Sequence, residues 1–525
     1  MALNIADLFE HAVDVVPERI AIIVGDRQVT YAELEADANR LAHHLASRGV
    51  VPGDHVGIYA KNSIEHVVAL IAVYKLRAVA ININYRYVEG ELDYIFDNAD
   101  LVAVLHEREY SPLVDVVAPK HAQLHTVIVL EDLPQVTAEQ TADRDFGPRS
   151  NDDLYIVYTG GTTGYPKGVM WRHEDVWRTL GGGIDFYTGD RLEEYDQSKK
   201  AVEGDPMMTF PLSPIMHGGA QWAMLMHLFG GHATILTPKF EADEVWRSID
   251  QHKVQMIFMT GDAMARPLIE EFETGKYDGS SLFVASSSAA VFSRPVKERW
   301  MDAFPNAIFT DSIGASETGF QGLGMVSRET LKAEGAVCTL GPDVAVIDDD
   351  NNIIDAATNV GVVGRLARTG SVPLGYYKDP EKSAATFMEI DGKRFSIPGD
   401  FARIEEGNIV TLLGRGSNCI NTGGEKVYPE EVEMALKGHP DVFDALVVGT
   451  PNERFGSQVT AVVEPREGAE LTLESIDAHL RPLLSGYKIP RALIVVPQIP
   501  RHATGKANYP AAKELALEEL GGTLV

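Results

Sequence analysis

Short apolar runs the length of a strand alternate with helix-length segments over the first 110 residues, and the rhythm returns between 150 and 310. A chain patterned this way builds βαβ units around a mostly parallel sheet. Thr30 and Glu33 stand at capping-box spacing. Behind them Leu34, Ala38, Leu41 and Leu45 recur at helical intervals, and Gly49 ends that helix. Residues 56–59 read as a strand, Ser63 as the cap of a helix reaching Lys75, 79–83 as strand, 89–98 as helix and 101–105 as strand. Further on, 154–158, 233–236, 256–259, 282–285 and 307–310 are the expected strands. Residues 185–205 carry seven acids and three bases with few apolar side chains. That stretch reads as an exposed insertion or a mobile loop.

The texture changes near 415, where Gly414-Arg415-Gly416-Ser417-Asn418 forms a polar, glycine-rich break. The remaining residues have a small α+β pattern of their own, with helices at 430–437 and 473–484 and strands at 445–448 and 458–463. The expected fold class is α/β. A large N-terminal domain (1–414) of layered, mostly parallel sheets and helices is followed by a hinge (415–418) and a small, mobile α+β C-terminal domain (419–525).

Lys plus Arg number 46 and Asp plus Glu 76, a net charge of −30. A surplus of that size excludes nonspecific nucleic-acid binding, which needs a basic footprint, and charge-driven docking on an anionic membrane. Two cysteines, Cys338 and Cys419, form neither a disulfide framework nor a cysteine zinc site, and Cys419 reads as packing. The first ten residues carry Asp7 and Glu10 and no basic segment, so no signal peptide is expected. The most apolar early stretch, 67–83, is broken by Lys75 and Arg77 and is not expected to span a bilayer. A cytoplasmic location follows as an expectation.

The strongest local signal is Tyr158-Thr159-Gly160-Gly161-Thr162-Thr163-Gly164-Tyr165-Pro166-Lys167-Gly168, directly after an apolar strand. Glycines let backbone N–H groups approach a ligand closely, and threonine hydroxyls and one ammonium add donors, a combination suited to a polyphosphate. Neither a Walker A pattern nor G-x-G-x-x-G occurs. The loop resembles the signature loop of the adenylate-forming superfamily, which includes acyl-CoA synthetases, peptide-synthetase adenylation domains and luciferases. The other motifs follow in that family's order over nearly the whole chain.

The resemblance implies a role for each matching segment. Thr159, Gly160, Gly161, Thr162, Thr163, Gly164 and Lys167 bind ATP phosphates. In Asp311-Ser312-Ile313-Gly314-Ala315-Ser316-Glu317, the Glu317 carboxylate helps hold Mg²⁺ and Ser316 approaches the α-phosphate, while Asp311, Ser312 and Ile313 lie along the adenine and ribose and Gly314 beside the acyl group. The family form has an aromatic where Ile313 stands, so aliphatic contact is expected there. Ser288-Ala289-Ala290 is the adenine-contacting segment. Asp400, in Pro398-Gly399-Asp400, accepts the ribose hydroxyls together with Arg415. Ser417 occupies the hinge position, Gly424 lines the pantetheine tunnel, and Lys426 meets the CoA phosphates. Lys506, in Pro500-Arg501-His502-Ala503-Thr504-Gly505-Lys506, is the catalytic lysine bridging the acyl carboxylate and the α-phosphate. His502 beside it reads as solvated.

On the acyl side, Pro211-Leu212-Ser213-Pro214-Ile215-Met216-His217 matches the segment that positions the substrate carboxyl. His217 gates it, and Trp222 follows on the helix lining the acyl pocket. Eight of fourteen methionines fall between Met207 and Met264. Methionine makes adaptable apolar walls, which points to a bulky apolar acid. Gly181-Gly182-Gly183, inside an otherwise helical segment, is expected to open space nearby.

The variants at 313–317, 396–400 and 414–429 resemble actinobacterial synthetases acting on steroid side-chain acids, with medium- and long-chain fatty acids as the alternative. The implied activity is an ATP-dependent acid–thiol ligase with ATP, Mg²⁺ and CoA as cofactor and co-substrates. Its partners are small molecules, with a homodimer left open. Two rivals stand beside it: a ligase loading a separate carrier protein, and a non-catalytic nucleotide sensor. The anionic ligands do not conflict with the net charge. Residues 479–513 contain six Lys or Arg and no acid, and 154–173 contain no acid, so a locally positive cleft can sit inside an acidic exterior.

Overall fold

The computed structural model describes residues 3–159, 166–185, 190–332, 336–422, 425–452, 456–484, 486–502 and 505–521. Local signals are realised in it closely. Thr30 caps the helix Tyr31–Ser47 with both arms of the capping box formed. Ser63 caps Ile64–Lys75 by accepting from the backbone N–H of His66 at 3.1 Å. Gly49 sits at φ +94°, the left-handed conformation that terminates a helix at low steric cost.

Four sheets organise the described residues. His55–Tyr59 pairs in parallel with Val79–Asn82 on one side and Leu101–His106 on the other, and Thr126–Val129 extends this sheet, also in parallel. The largest sheet has 16 strands. Within it Ile20–Val24, Ala233–Leu236, Met208–Pro211, Met256–Met259, Val284–Ser288 and Ile308–Ala315 run in parallel in that spatial order. Beyond Ile308–Ala315 every pairing is antiparallel, through Gly319–Met325, Val337–Leu340, Ile409–Arg415 and Asp400–Glu405.

A third, three-stranded sheet differs from the sequence expectation. Leu154–Thr159 is a strand, but it pairs antiparallel with Lys167–Arg172, which pairs in turn with Gly375–Tyr376. An apolar run reports burial and not direction, so the antiparallel pairing of Leu154–Thr159 with Lys167–Arg172 could not be read from it. Ile420–Thr422, Glu425–Val427, Val442–Asn452, Gly456–Pro465 and Ala492–Val495 form the fourth, five-stranded sheet. Its faces carry their own cores, one around Val432, Leu436, Ala461 and Leu480 and one around Leu446, Val462 and Ala512.

One further expectation holds in part and another is corrected. The acidic stretch after 185 is largely exposed over its described part (190–205), but it carries a short helix, Asp196–Lys200, and is docked. Tyr195 stacks on His11 with ring centroids 4.1 Å apart, and Gln197 accepts from the Trp177 indole N–H at 2.8 Å and donates to the Gly181 carbonyl at 2.9 Å. The glycines at 181–183 follow the end of the helix His173–Leu180 and leave no opening. A β-carbon at 181 would lie 2.7 Å from Trp177 and 2.9 Å from Trp222, so glycine there lets the indoles close in.

Lys75, one of the charges that interrupt the early apolar stretch, is 1% exposed and pairs with Glu10 and Glu35. Arg149 and Arg144 complete the network by reaching Glu10 and Glu35. A buried cation is tolerated only when compensated in this way.

Candidate functional site

The parallel strands end on one edge, the usual place for a ligand in an open α/β sheet. Ser288 pairs in register with Ser312, and its hydroxyl donates to the Ser312 carbonyl at 3.0 Å. Ala289 then turns the chain at φ +66°. The pairing brings together two segments expected at the adenine, 288–290 and 311–313, although 24 residues separate Ser288 from Ser312.

Two side chains of this group face the protein interior. Asp311 is buried and pairs with Lys297 at 2.5 Å; burial pushes its carboxyl up while Lys297 opposes the shift. Ile313 is 5% exposed and packs with Cys338, Leu340, Val410 and their neighbours, so its aliphatic contacts are with the core. Gly314 is exposed, and a β-carbon there would sit 2.8 Å from the Gly319 carbonyl oxygen.

Glu317 is buried and accepts a hydrogen bond from the Tyr376 hydroxyl at 3.1 Å. Its carbonyl accepts from Ser396, and the Ser316 carbonyl accepts from the Trp171 indole at 3.0 Å. Lys167 stands 5.8 Å from the centre of the Tyr376 ring and is ion-paired with Asp379. Thr159 is the cross-strand partner of Lys167, so both ends of the expected phosphate loop are placed. Within the loop, Gly160, Gly161, Thr162, Thr163 and Gly164 lie outside the described residues, as does Gly424.

Tyr376 and Asp379 were missed by the sequence reading. Their only local signal is position: they lie 59 and 62 residues beyond Glu317 and carry no motif of their own. Among the described residues no cluster of three or more His, Cys, Asp or Glu could hold a metal. One buried carboxylate is nevertheless what the protein side of a Mg²⁺–polyphosphate site needs, because phosphates and water fill the other positions.

On the opposite flank, Asn62 holds the segment after Met208–Pro211. Its side-chain oxygen accepts from Ile215 N–H at 2.8 Å and its amide donates to Ser213 O at 3.5 Å. The Ser213 and Thr260 hydroxyls are 2.8 Å apart. His217 follows; its Nε2 is buried and has no hydrogen-bond partner among the described residues. Burial, reinforced by the positive charges of Lys506 and Arg86, pushes its pKa down to about 3, so the imidazole is neutral. Trp222 is 1% exposed and edge-on to Tyr155 at 5.3 Å. Of the clustered methionines, Met216, Met224, Met259 and Met264 are buried and Met207 is exposed.

The small C-terminal sheet brings its turn onto the same edge. Gly505, at φ +81°, lies against Thr260 and Ala263; a β-carbon there would be 2.9 Å from the Ala263 methyl. Lys506 follows, exposed, with its charge felt at His217. Asp400 and Arg415 are cross-strand partners, which places both expected ribose-binding residues on one rung. Ser417 lies in the short helical turn Gly416–Asn418, and Lys426 in the strand Glu425–Val427 opposite Asn421. The side chains of Arg415, Ser417 and Lys426 are outside the described set.

The AMP-binding enzyme family matches residues 9–377, and the AMP-binding enzyme C-terminal domain matches 431–506. The chain is 54% identical over 534 residues to a 3-oxocholest-4-en-26-oate–CoA ligase of Rhodococcus rhodochrous, covering 98% of this chain and 96% of that one. It is 50% identical to a medium/long-chain-fatty-acid–CoA/3-oxocholest-4-en-26-oate–CoA ligase of Mycolicibacterium smegmatis, with coverage of 99% and 97%. Among solved structures, the anthranilate CoA ligase AuaEII in complex with anthranoyl-AMP superposes with a TM-score of 0.86 at 21% identity over 98% of both chains, a likeness of fold.

Proposed function

The chain belongs to the AMP-binding enzyme family, as an AMP-forming acyl-CoA synthetase, and from that premise we propose that it activates a bulky apolar acid: a steroid side-chain acid or a medium- to long-chain fatty acid. The relatives named for such acids support the acyl class. The single observation that carries the mechanism is the seat of the Lys506 turn on Thr260 and Ala263, with its charge reaching His217.

In the first step a carboxylate oxygen of the acid attacks the α-phosphorus of ATP. The bond to the β-phosphate oxygen breaks and pyrophosphate leaves. Negative charge gathers between the acyl carboxylate and the α-phosphate, and Lys506 supplies a preorganised cation there, worth roughly 10²–10³ in rate. His217, held neutral, closes the acyl side without adding a competing charge. Lys167 exchanges Asp379 for phosphate oxygens. Glu317, oriented by Tyr376, is the carboxylate that would hold Mg²⁺, which neutralises phosphate charge when bound.

In the second step the thiol sulfur of CoA attacks the acyl carbonyl, AMP leaves, and the thiol proton passes to solvent. For this step residues 419–525 rotate on the 415–418 hinge. Lys506 then withdraws, and Gly424 and Lys426 meet the pantetheine and the CoA phosphates. We place the reaction in the cytoplasm. Among the described residues no helix is long and apolar enough to cross a membrane. A homodimer is the assembly proposed, tested by light scattering on an eluting column.

Pyrophosphate release across matched acids tests the acyl class. Steroid side-chain acids and long-chain fatty acids turn over far better than acetate if the reading holds, and equal turnover of acetate rejects it. Thioester formation with CoA and no carrier protein separates this function from carrier loading, and acid-dependent pyrophosphate release separates it from nucleotide sensing.

A further inference from the structure

Arg501 lies in the turn that carries Lys506, and its guanidinium ties that turn to the interior of the small domain. Nε and Nη2 donate to the two oxygens of Asp444 at 2.7 and 2.9 Å, while Nη1 donates to the Gly505 carbonyl at 2.7 Å. Asp444 is anchored in turn by Lys437 at 3.0 Å, whose side chain is 2% exposed. Burial opposes ionisation of Asp444, yet Lys437 and Arg501 hold its carboxyl well below the usual carboxylate range. The turn has backbone bonds of its own: His502 N–H donates to Lys506 O at 2.8 Å and Gly505 N–H to His502 O at 2.9 Å, and Arg501 bridges Ala507. None of these reaches past the turn. Among the described side-chain contacts, the Arg501 fork is what joins the Gly505 carbonyl, one residue before Lys506, to a fixed point in the domain core.

We propose that Arg501 is a positioning residue for adenylation: by clamping the Gly505 carbonyl to Asp444, it fixes the height at which Gly505 seats on Ala263 and so the place of the Lys506 ammonium. The proposal rests on the reading of Lys506 given above. The guanidinium suits the task because its planar fork serves the carboxylate and the carbonyl at once, which an ammonium does not reproduce. The clamp lies wholly within 437–507 and travels with the small domain. It therefore bears on the half-reaction in which the turn is docked and not on the one from which Lys506 has withdrawn.

The decisive variant is Arg501→Lys, which leaves a cation for Asp444 but removes the fork. Two half-reactions are read separately: acid-dependent pyrophosphate release without CoA, and thioester formation from presynthesised acyl-AMP. The expected result is a loss of about 10- to 100-fold in the first, the scale of a displaced catalytic group. ATP affinity, the second half-reaction and the melting temperature stay close to those of the unaltered enzyme. Asp444→Asn keeps an acceptor but strips the buried Lys437 of its paired charge, so it lowers the melting temperature; read where the variant stays folded, its loss is confined to the same half-reaction. Equal loss in both half-reactions for the two variants would reduce Arg501 to a fold staple, and an unchanged first half-reaction would also overturn the proposal. Lys506→Ala is run alongside. If it fails to separate the half-reactions, the role of Lys506 falls and takes the proposal with it; if it separates them and Arg501→Lys does not, the positioning role alone falls.

Discussion

Gly505 and Ala263 meet so closely that a β-carbon on residue 505 would stand 2.9 Å from the Ala263 side chain, with the backbone at φ +81°. Two penalties therefore fall on Gly505→Ala. Left-handed backbone costs an L-residue roughly 1–2 kcal/mol, and the new methyl lifts the Lys506 turn from its seat. Acid-dependent pyrophosphate release is expected to fall at least about tenfold, the rate equivalent of about 1.4 kcal/mol. Adding Ala263→Gly removes the clash and not the backbone strain, so the double variant recovers part of the loss. No recovery would mean the two residues do not meet during adenylation.

What the sequence made legible was local. Strands 233–236 and 256–259 are placed to the residue, and Thr30 and Ser63 cap the helices expected of them, because periodicity and capping are written within a few consecutive residues. The short antiparallel strands after Gly319 were not legible; several hold only two to four residues, too few to show a period. In the candidate site, motifs pointed to Glu317, Lys167 and Lys506, but the Tyr376 hydroxyl on Glu317 spans 59 positions and the Asp379 pairing with Lys167 spans 212. Pairings at that range are set by tertiary packing, and no single segment records them.

The Lys167–Asp379 pair implies a competition. If Lys167 binds phosphate as proposed, it has to release Asp379, and the carboxylate is expected to raise the KM for ATP. Asp379 also caps the helix Pro380–Thr386 by accepting from Lys382 N–H at 2.9 Å. Asp379→Asn keeps that acceptor while removing the charge. The pair is about one-third exposed on each side, so its loss costs stability no more than about 1 kcal/mol. The expected outcome is a severalfold lower KM for ATP with little change in melting temperature, whereas Lys167→Ala raises KM. A higher KM in Asp379→Asn would assign Asp379 to nucleotide binding itself.

Ile313, expected at the adenine, lies in an apolar core beside Cys338 and Leu340. Ile313→Tyr inserts a larger side chain and a hydroxyl where the packing has no room. Overpacking of this kind costs about 1–3 kcal/mol. Urea denaturation is expected to show that loss, with no gain in ATP affinity by calorimetry. Tighter ATP binding at unchanged stability would mean that residue 313 faces the nucleotide.

His173 sets a pH dependence with a definite sign. It is fully buried, its Nδ1 accepts from Ile5 N–H at 3.3 Å, and its ring lies edge-on to Tyr74 at 5.3 Å. Burial pushes its pKa down to about 4, whereas an unfolded histidine titrates near 6.5. Between those values the unfolded chain binds a proton that the folded chain refuses, so stability falls as pH falls. The contribution is complete above pH ~6.5, declines by about 1.4 kcal/mol per pH unit below it, and levels off near the folded pKa. His173→Gln removes the titrating group while keeping an acceptor. The variant costs stability at pH 7.5, where the buried site loses its fitted ring. Its deficit against the unaltered protein should shrink by about 1 kcal/mol or more between pH 6.5 and 5. Urea titrations at fixed pH steps check this, and parallel stability curves for the two proteins would show that His173 is protonated equally in both states.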